Sequence, residues 1–542
     1  MSAALVARGI GVSRGSVQVL HQVSVSVGPG QRVAVVGPNG VGKTTLLQVL
    51  AGELTPDTGE VRRAPASGTV VHVPQELRID PGGTLLDHLA RRTGVTAAER
   101  ELHTAAEGLA TGGSAAERAY STALEAWLAM GGADLPERAE QVVAWLGLGP
   151  DLIGRGADQL SGGQAARLRL AVALLSRGDV LLLDEPTNDL DLPGLAALEQ
   201  LVSSTAAVIV LVSHDREFLA RTVTDVLEID EFSRGATSYA GGWRAYLDGR
   251  AAARTRAEQE YADYAAARDS LMAQAHRQRE WARSGAARAG NPSREADKHI
   301  RHREVQRSQR TSAKAVTTEA RLARLEQVDE PREPWELRLS IASAGRGSEV
   351  VFALREAVIE CGDIRLGPVD LEVSAGDRLR ILGPNGSGKS TLIAALLGRL
   401  PLVAGRSRVG PGVVVGEMEQ TRSMLRGVDP LLEVFRAVSG LDAEQARTLL
   451  AKFRFGADVV LRPADSLSPG ERTRAGLAAF QARGLTCLVL DEPTNHLDLP
   501  AIEQLEQALA AYDGTLLLVT HDRRLAESVS LTHELDVTTL RA

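Results

Sequence analysis

The sequence predicts an α/β protein of two repeated domains, each built on a mostly parallel sheet, joined by a long α-helical hairpin linker. Three observations lead there. The segment GPNGVGKTTL at 37–46 recurs as GPNGSGKSTL at 383–392, and LLLDEPTNDLDLP at 181–193 recurs as LVLDEPTNHLDLP at 488–500. The copies start 346 residues apart, far beyond a solenoid period, so each repeat is a whole domain. Short apolar runs lead into these motifs, while a stretch from about 248 to 328 has no strand signal at all. At roughly 150 residues per domain, 542 residues leave room for between three and four units.

Each element follows from the residues in turn. Arg32–Val36 and Arg378–Leu382 are strands that run into a Gly-rich loop, and Val180–Leu183 and Leu488–Leu490 are second buried strands. Continuous Val/Leu strands separated by helices imply a parallel sheet covered on both faces. The copies differ in one interval: Gln75 to Leu160 is 85 residues, whereas Gln420 to Leu467 is 47, so the first copy carries 38 more. These read as helical, with Leu124, Trp127, Leu128 and Met130 on one face and Gly131–Gly132 as a break. A packing role alone is the alternative for this insert. The expected bounds are 3–248 for the first domain, with the insert at about 88–145, then 249–330 for the linker and 335–542 for the second domain.

In the linker Ala, Arg, Glu and Gln dominate, all good helix formers. Ala289-Gly290-Asn291-Pro292, preceded by Gly285, breaks it into a pair, because proline cannot continue a helix and Gly-Asn suits a turn. An arm of about 38 residues reaches about 55 Å. Tyr261, Tyr264, Leu271 and Met272 are expected to face Val316, Leu322 and Leu325 near its base. Residues 276–314 hold 11 basic against 4 acidic side chains, so the distal half is cationic and suited to a polyanion such as phosphate. Mixed signs would be expected of a merely solvated hairpin.

Composition sets the outer bounds. Apolar residues at 44% and charged residues at 24% exclude a disordered or collagenous chain. No uncharged apolar stretch approaches the roughly 18 to 20 residues that span a bilayer, and the opening MSAALVARGI lacks the pattern of a secretion signal. Cys361 and Cys487 are the only cysteines, which points to a reducing compartment and to two small buried hydrophobes. The net charge is −8, but residues 250–328 hold 17 Lys and Arg against 10 Asp and Glu, leaving −15 for the rest. Charge is segregated by region.

The repeated motifs carry phosphate chemistry. A GxxxxGK[ST] loop offers a nest of backbone N–H groups, a lysine for the outer phosphates and a hydroxyl for Mg²⁺. In the first copy these are Gly37, Asn39, Gly40, Gly42, Lys43, Thr44 and Thr45, and in the second Gly383, Asn385, Gly386, Gly388, Lys389, Ser390 and Thr391. Only 5 of 61 basic residues are Lys, yet one closes each loop, which phosphate geometry and not composition would select. Asp184 and Asp491 end apolar strands where a carboxylate can share Mg²⁺ with the loop hydroxyl and substrate phosphates. Glu185 and Glu492 follow as candidate general bases, and His214 and His521, each after a further apolar strand, as donors to a phosphate or orienters of water. Leu160–Gln164 reads LSGGQ, a serine N-cap and two glycines opening a helix, which is an anion-binding end.

With these residues in hand the sequence resembles the ATP-binding cassette family over about 460 of its 542 residues. The Walker A loop, a Q-loop glutamine (Gln75, Gln420), LSGGQ, DEPTN and a switch histidine occur in that order, twice. The resemblance implies two tandem ABC-type P-loop ATPase domains that sandwich two ATP and Mg²⁺ between them within one monomer. Lys43, Asp184 and Glu185 would then face Ser468, Gly470 and Glu471, while Lys389, Asp491 and Glu492 would face Ser161, Gly162, Gly163 and Gln164. Gln75 and Gln420 would join the metal site of Thr44 with Asp184 and of Ser390 with Asp491. The second signature departs from the pattern as Leu467-Ser468-Pro469-Gly470-Glu471: Pro469 removes one N–H, though proline is well tolerated just after an N-cap. No aromatic stands at the place before either P-loop where one would stack on adenine, which reads Ser13-Arg14-Gly15 in the first copy and Asp363-Ile364-Arg365 in the second, and Arg14 and Arg365 are the substitutes in view.

Two cassettes without membrane segments, joined by a hairpin of about 80 residues, resemble the ABC-F subfamily, which acts on ribosomes. The resemblance implies a cytoplasmic protein whose basic linker, about 249–330, approaches rRNA and tRNA, whose insert contacts the large-subunit stalk, and which protects ribosomes from large-subunit antibiotics of the macrolide or lincosamide type. The short insert and pointed hairpin resemble resistance members, and Trp281 lies near the tip. A housekeeping translation or ribosome-assembly factor is one alternative and the ATPase subunit of a drug transporter another. Transporter cassettes usually join through a short junction.

Overall fold

The computed structural model describes the chain apart from residues 1–3, 16, 67, 76–82, 111, 150–151, 155–161, 189, 290–312, 314–315, 319, 326–347, 363, 419–422, 454, 496 and 542, and apart from the side chains at 162–163, 166, 281–289 and 469–470. The chain divides into two compact units, one of residues 1–244 with 337–542 and one of residues 245–336.

The first cassette runs β1 (Ala4–Arg14), β2 (Val17–Val27), β3 (Arg32–Val36), β4 (Thr58–Ala64), β5 (Val70–Val73), β6 (Val180–Asp184), β7 (Val208–Val212), β8 (Asp225–Ile229) and β9 (Ala236–Ala240). Strands β5-β6-β7-β3-β8-β9 form one sheet, parallel except for its β8–β9 edge. Separately, β2-β1-β4 form an antiparallel sheet that the sequence reading did not foresee. Its strands lack the clean two-residue alternation because bulges interrupt their register, as between Arg8 and Gly11. Helix Lys43–Ala51 shares one core with both sheets, burying Leu46, Leu47 and Leu50 completely, each worth about 1.5–3 kcal/mol.

The second cassette repeats the plan with β10 (Val350–Cys361), β11 (Ile364–Ser374), β12 (Arg378–Leu382), β13 (Ala404–Val409), β14 (Val415–Glu417), β15 (Cys487–Asp491), β16 (Thr515–Val519) and β17 (His533–Asp536). The parallel sheet orders β14-β15-β16-β12-β17 and the antiparallel one β11-β10-β13. Cys487 is buried, and burial pushes its thiol up to about 12, whereas Cys361, expected inside, is exposed where β10 turns into β11.

Helices Val95–Leu109 and Ser114–Ala129 pack on each other within the longer interval of the first cassette, between helices Leu85–Arg92 and Leu135–Trp145. Of the expected apolar face, Leu124, Trp127 and Met130 are partly covered but Leu128 is exposed, since the neighbouring helix covers only part of that side. The break falls at Gly131, in the left-handed region at φ 74.

The linker begins with a 48-residue helix, Gly242–Ala289, about 72 Å long. It starts ahead of the expected 249 because Gly241 and Gly242, at φ 99 and 75, make the turn that launches it. Helical residues at 313, 316–318 and 320–323 belong to the returning arm. Contact between the arms centres on small and polar groups: Thr318 and Ala275 are buried, and Thr318 Oγ1 donates to Gln278 Oε1 at 3.0 Å. Tyr261, Tyr264, Leu271, Leu322 and Leu325 are half-buried, but Met272 and Val316, expected as anchors, are exposed because helix rotation gives the shared face to those smaller residues. The tip and its break at 290–292 lie outside the described residues, as does the Trp281 side chain. Among the described residues no helix is long and apolar enough to cross a membrane.

Candidate functional site

Each P-loop is shaped by glycines that no other residue replaces. Gly37 and Gly383 lie at φ 147 and 143, and Gly42 and Gly388 at φ 112 and 106. A Cβ on Gly42 would come within 2.9 Å of Leu20 and Val19, and one on Gly388 within 2.9 Å of Ile364. The loops therefore press against the antiparallel sheet and deliver Lys43 and Lys389 to the first turn of a helix, where backbone N–H groups point outward for an anion. Lys43 Nζ donates to Gly37 O at 2.8 Å and Pro38 O at 3.1 Å, and Lys389 Nζ to Gly383 O at 2.8 Å and Pro384 O at 3.3 Å. Burial lowers both lysine pKa values, opposed by the carboxylates around them: Glu185, Asp498 and Asp184 for Lys43, and Glu492, Asp491 and Asp191 for Lys389. Thr45 is buried, while Thr391 is half-covered.

A hydroxyl and a carboxylate meet at each loop. Ser390 Oγ donates to Asp491 Oδ2 at 2.7 Å. Asp184 is buried with neither oxygen in a hydrogen bond of normal geometry, and burial raises its pKa while the Thr44 hydroxyl beside it acts the other way. Two hard oxygen donors fit Mg²⁺, which keeps water and takes its other ligands from phosphates. Gln75 follows β5 and its carbonyl accepts from Arg169, whereas Gln420 lies outside the described residues.

Beyond the strand ends the chain turns sharply at Glu185 and Glu492, whose φ of 48 and 43 are left-handed values that cost a non-glycine residue about 1–3 kcal/mol. Their own N–H groups donate to Val212 O and Val519 O, both at 2.9 Å, which holds the turns against the next strand. His214 Nε2 lies 3.0 Å from Glu185 Oε1, and His521 Nε2 3.4 Å from Glu492 Oε1. His521 also stands 3.4 Å from Lys389 Nζ. Burial, then Lys389, lowers the His521 pKa to about 4, so its ring is neutral at pH 7.

That shift carries a stability consequence. Between pH 6.5 and 4 the unfolded chain takes up a proton at this position that the folded ring refuses, so stability is complete above pH 6.5 and falls towards pH 4. The loss attributable to His521 is about 3 kcal/mol. Denaturant unfolding at pH 7 and pH 4.5 should show a steeper acid loss in the wild type than in His521→Gln; equal losses would refute the assignment.

The cassettes meet through contacts related by approximate two-fold symmetry. Asp498 Oδ1 caps helix Leu499–Ala510 at Ala501 N, 3.1 Å, while Oδ2 accepts from Asn39 N of the opposite P-loop, 3.1 Å. Asp191 does the same, Oδ1 to Gly194 N at 3.2 Å and Oδ2 to Asn385 N at 3.1 Å. Arg216 pairs with Glu506, both nearly buried, and Arg523 lies 3.7 Å from Glu199 and 3.8 Å from Glu217. A cavity of about 410 Å³ at this junction is lined by His214, His521, Glu492, Asn385 and Gly386 among others. The sequence reading missed Asp191, Asp498, Arg216, Glu506, Arg523 and Glu199. The signal for the aspartates and arginines was available, since LDLP is repeated at 190–193 and 497–500 and each histidine is followed two residues later by Arg.

The two signatures differ. Arg167, six residues after Ser161, donates to Asn385 O at 3.0 Å, so the helix of the first signature (Gly162–Leu175, with Gly163 and the half-buried Gln164) lies at the second P-loop. Ser161 lies outside the described residues. Its counterpart Ser468 is committed to its own helix: Oγ accepts from Glu471 N at 3.2 Å and its N–H donates to Glu471 Oε2 at 2.8 Å. Pro469 opens that helix, Gly470 follows, and Glu471 also pairs with Arg462. Arg474, at Arg167's position, stacks over Phe455. Arg365, in view for adenine, is paired with Glu360 at 2.9 Å, and Arg14 is exposed at the end of β1.

Comparison with known proteins agrees with this geometry. The family described as ABC transporter matches residues 20–188 and 366–495. The tylosin resistance ATP-binding protein TlrC of Streptomyces fradiae is 35% identical over 95% of this chain and 94% of its own length. ABC transporter F family member 5 of Arabidopsis thaliana is 28% identical over 95% of this chain and 72% of its own. Among solved structures, an archaeal ribosome recycling factor in complex with a ribosomal stalk protein aligns with a TM-score of 0.58 at 20% identity, covering 96% of this chain and 86% of that one, a likeness of fold.

Proposed function

We propose, since this chain belongs to the ATP-binding cassette family and within it to the F branch, that its ATPase cycle serves the ribosome and protects it from large-subunit antibiotics of the macrolide or lincosamide type. The chain is an ATPase with two ATP-binding cassettes. The observation that carries the rest is near full-length similarity to a tylosin resistance protein, supported by the cationic distal linker, whose charge suits RNA phosphates. On this reading the protein is a cytoplasmic monomer, and residues of about 249–330 contact rRNA and tRNA.

In the mechanism, the nest of Gly40, Gly42 and Lys43, or of Gly386, Gly388 and Lys389, grips the phosphates of ATP. Thr44 with Asp184, and Ser390 with Asp491, would hold Mg²⁺, aided by Gln75 and Gln420. When bound, the ion neutralises charge on the β- and γ-phosphates. Glu185 or Glu492 takes the proton of the attacking water, and the neighbouring histidine fixes that carboxylate and the water's direction. Facing signatures complete each site. Because Pro469 donates no hydrogen bond and Ser468 is engaged by Glu471, the Lys43 site is expected to be the slower: Glu185→Gln should reduce total hydrolysis less than Glu492→Gln, and equal losses would show the sites fully coupled.

Expression in a susceptible bacterium, followed by growth on a panel of large-subunit antibiotics, tests the function. Resistance is expected for macrolides or lincosamides, and no change across the panel would favour the housekeeping alternative. Replacing Arg277, Arg279, Arg283, Arg288 and Arg294 by Gln should weaken co-sedimentation with ribosomes and flatten its salt dependence. Normal ribosome binding by that variant would remove the linker from the mechanism.

A further inference from the structure

Two arginines from unrelated sequence contexts make the same contact with the two P-loops. Arg234, in the turn between β8 and β9, donates from Nη1 to Gly40 O at 3.4 Å, and Arg541, beyond β17, donates from Nη2 to Gly386 O at 2.9 Å. Each turn is built by an aspartate at the strand end. Asp230 Oδ1 accepts from Phe232 N and Ser233 N, and Asp536 Oδ1 from Thr538 N and Thr538 Oγ1. Each arginine is also tied to the antiparallel sheet: His21 N donates to Arg234 O at 2.9 Å, and Arg541 bridges Leu366. Spacing from the aspartate differs, four residues in one cassette and five in the other, so sequence repetition alone does not produce the match.

The contacted glycines are the outermost points of the loops. Gly40 and Gly386 lie at φ 79 and 77, are exposed, and have nothing within 4 Å of where a Cβ would stand. The peptide whose carbonyl each arginine holds carries on its other side the Val41 or Ser387 N–H, which closes onto Pro38 O at 3.4 Å or Pro384 O at 3.1 Å. Thus each outer peptide is fixed from inside by the loop's own turn and from outside by a guanidinium. A plane held on both sides cannot rotate, and rotation there would turn the adjoining donors away from a phosphate.

We propose that Arg234 and Arg541 are positioning residues for nucleotide binding, each pinning the outer peptide of one P-loop so that its backbone donors stay aimed at the phosphates. The proposal rests on the reading of these loops as the ATP sites. Because the guanidinium acts on the loop and not on the base, its removal should weaken ATP and GTP alike.

The full-length protein with Arg541→Ala, Arg234→Ala and Arg541→Lys is to be measured for ATP and GTP affinity, KM, kcat and thermal midpoint. Arg541→Ala should raise KM for both nucleotides by about fivefold to tenfold with kcat within about twofold, as expected for the net loss of one solvent-exposed hydrogen bond. Arg234→Ala should do less, given its longer contact, and Arg541→Lys should recover part of the loss. Unchanged KM with both alanine variants, or a change in the ATP-to-GTP ratio as a base-stacking role would give, overturns the proposal. Lys43→Ala and Lys389→Ala separate it from its premise: if the lysine variants lose nucleotide and the arginine variants do not, only the proposal fails; if neither set does, the P-loop reading fails first.

Discussion

Replacing both Glu185 and Glu492 by glutamine abolishes ATP turnover and leaves ATP affinity within about twofold. The lysines, the loop glycines and the carboxylates of Asp184 and Asp491 are untouched, so the phosphate grip persists. What disappears is a proton acceptor held at a left-handed turn and steadied by a histidine at 3.0 or 3.4 Å. General-base removal lowers rates by roughly 10²- to 10⁴-fold. Single-turnover hydrolysis and nucleotide binding, measured on the same preparation, check this. Wild-type turnover in the double variant would mean another group takes the proton; under the proposed ribosomal role, the inactive variant should accumulate on ribosomes in its ATP-bound form.

Reversing the charge at Glu506 separates the cassettes. Arg216 is 7% exposed at its side chain and Glu506 15%, so Glu506→Arg sets two cations together in a junction poorly served by water. Breaking a buried ion pair costs about 3–5 kcal/mol, enough to lower a closure-dependent ATPase by more than 100-fold. The pair Arg523 with Glu199, longer at 3.7 Å and 29% exposed at the arginine, should respond by less than tenfold to Glu199→Arg. The exchange Arg216→Glu with Glu506→Arg restores the attraction and should recover most of the ATPase. Failure of the exchanged variant to recover, with an unchanged melting temperature, would show that the pair acts through packing and not through charge.

Much of the site was legible because its parts are local. A loop that must wrap a phosphate needs glycines and a lysine within eight residues, and a carboxylate that meets it needs only to end an apolar strand. Asp184, Glu185 and His214, like Asp491, Glu492 and His521, stand where the apolar runs end, while the contact of each glutamate with its histidine came from the structure. Adenine recognition was less legible: Arg365 is drawn to Glu360, a cross-strand neighbour whose pairing a linear reading does not reveal.

By itself, then, the sequence determined the two-fold repetition, the parallel sheets, the phosphate loops, the helical character of insert and linker, and the segregation of positive charge. Each depends on neighbours within one element, where periodicity and motif spacing act directly. Only the tertiary structure decided that Asp498 reaches Asn39 across 459 residues, Asp191 reaches Asn385 across 194, and Arg216 meets Glu506 across 290. It also decided that Arg234 and Arg541 converge on Gly40 and Gly386. A charged side chain on a helix surface is equally at home in water, so its local sequence holds no trace of a partner. Packing two similar cassettes against each other supplies that partner, and approximate two-fold symmetry supplies it twice.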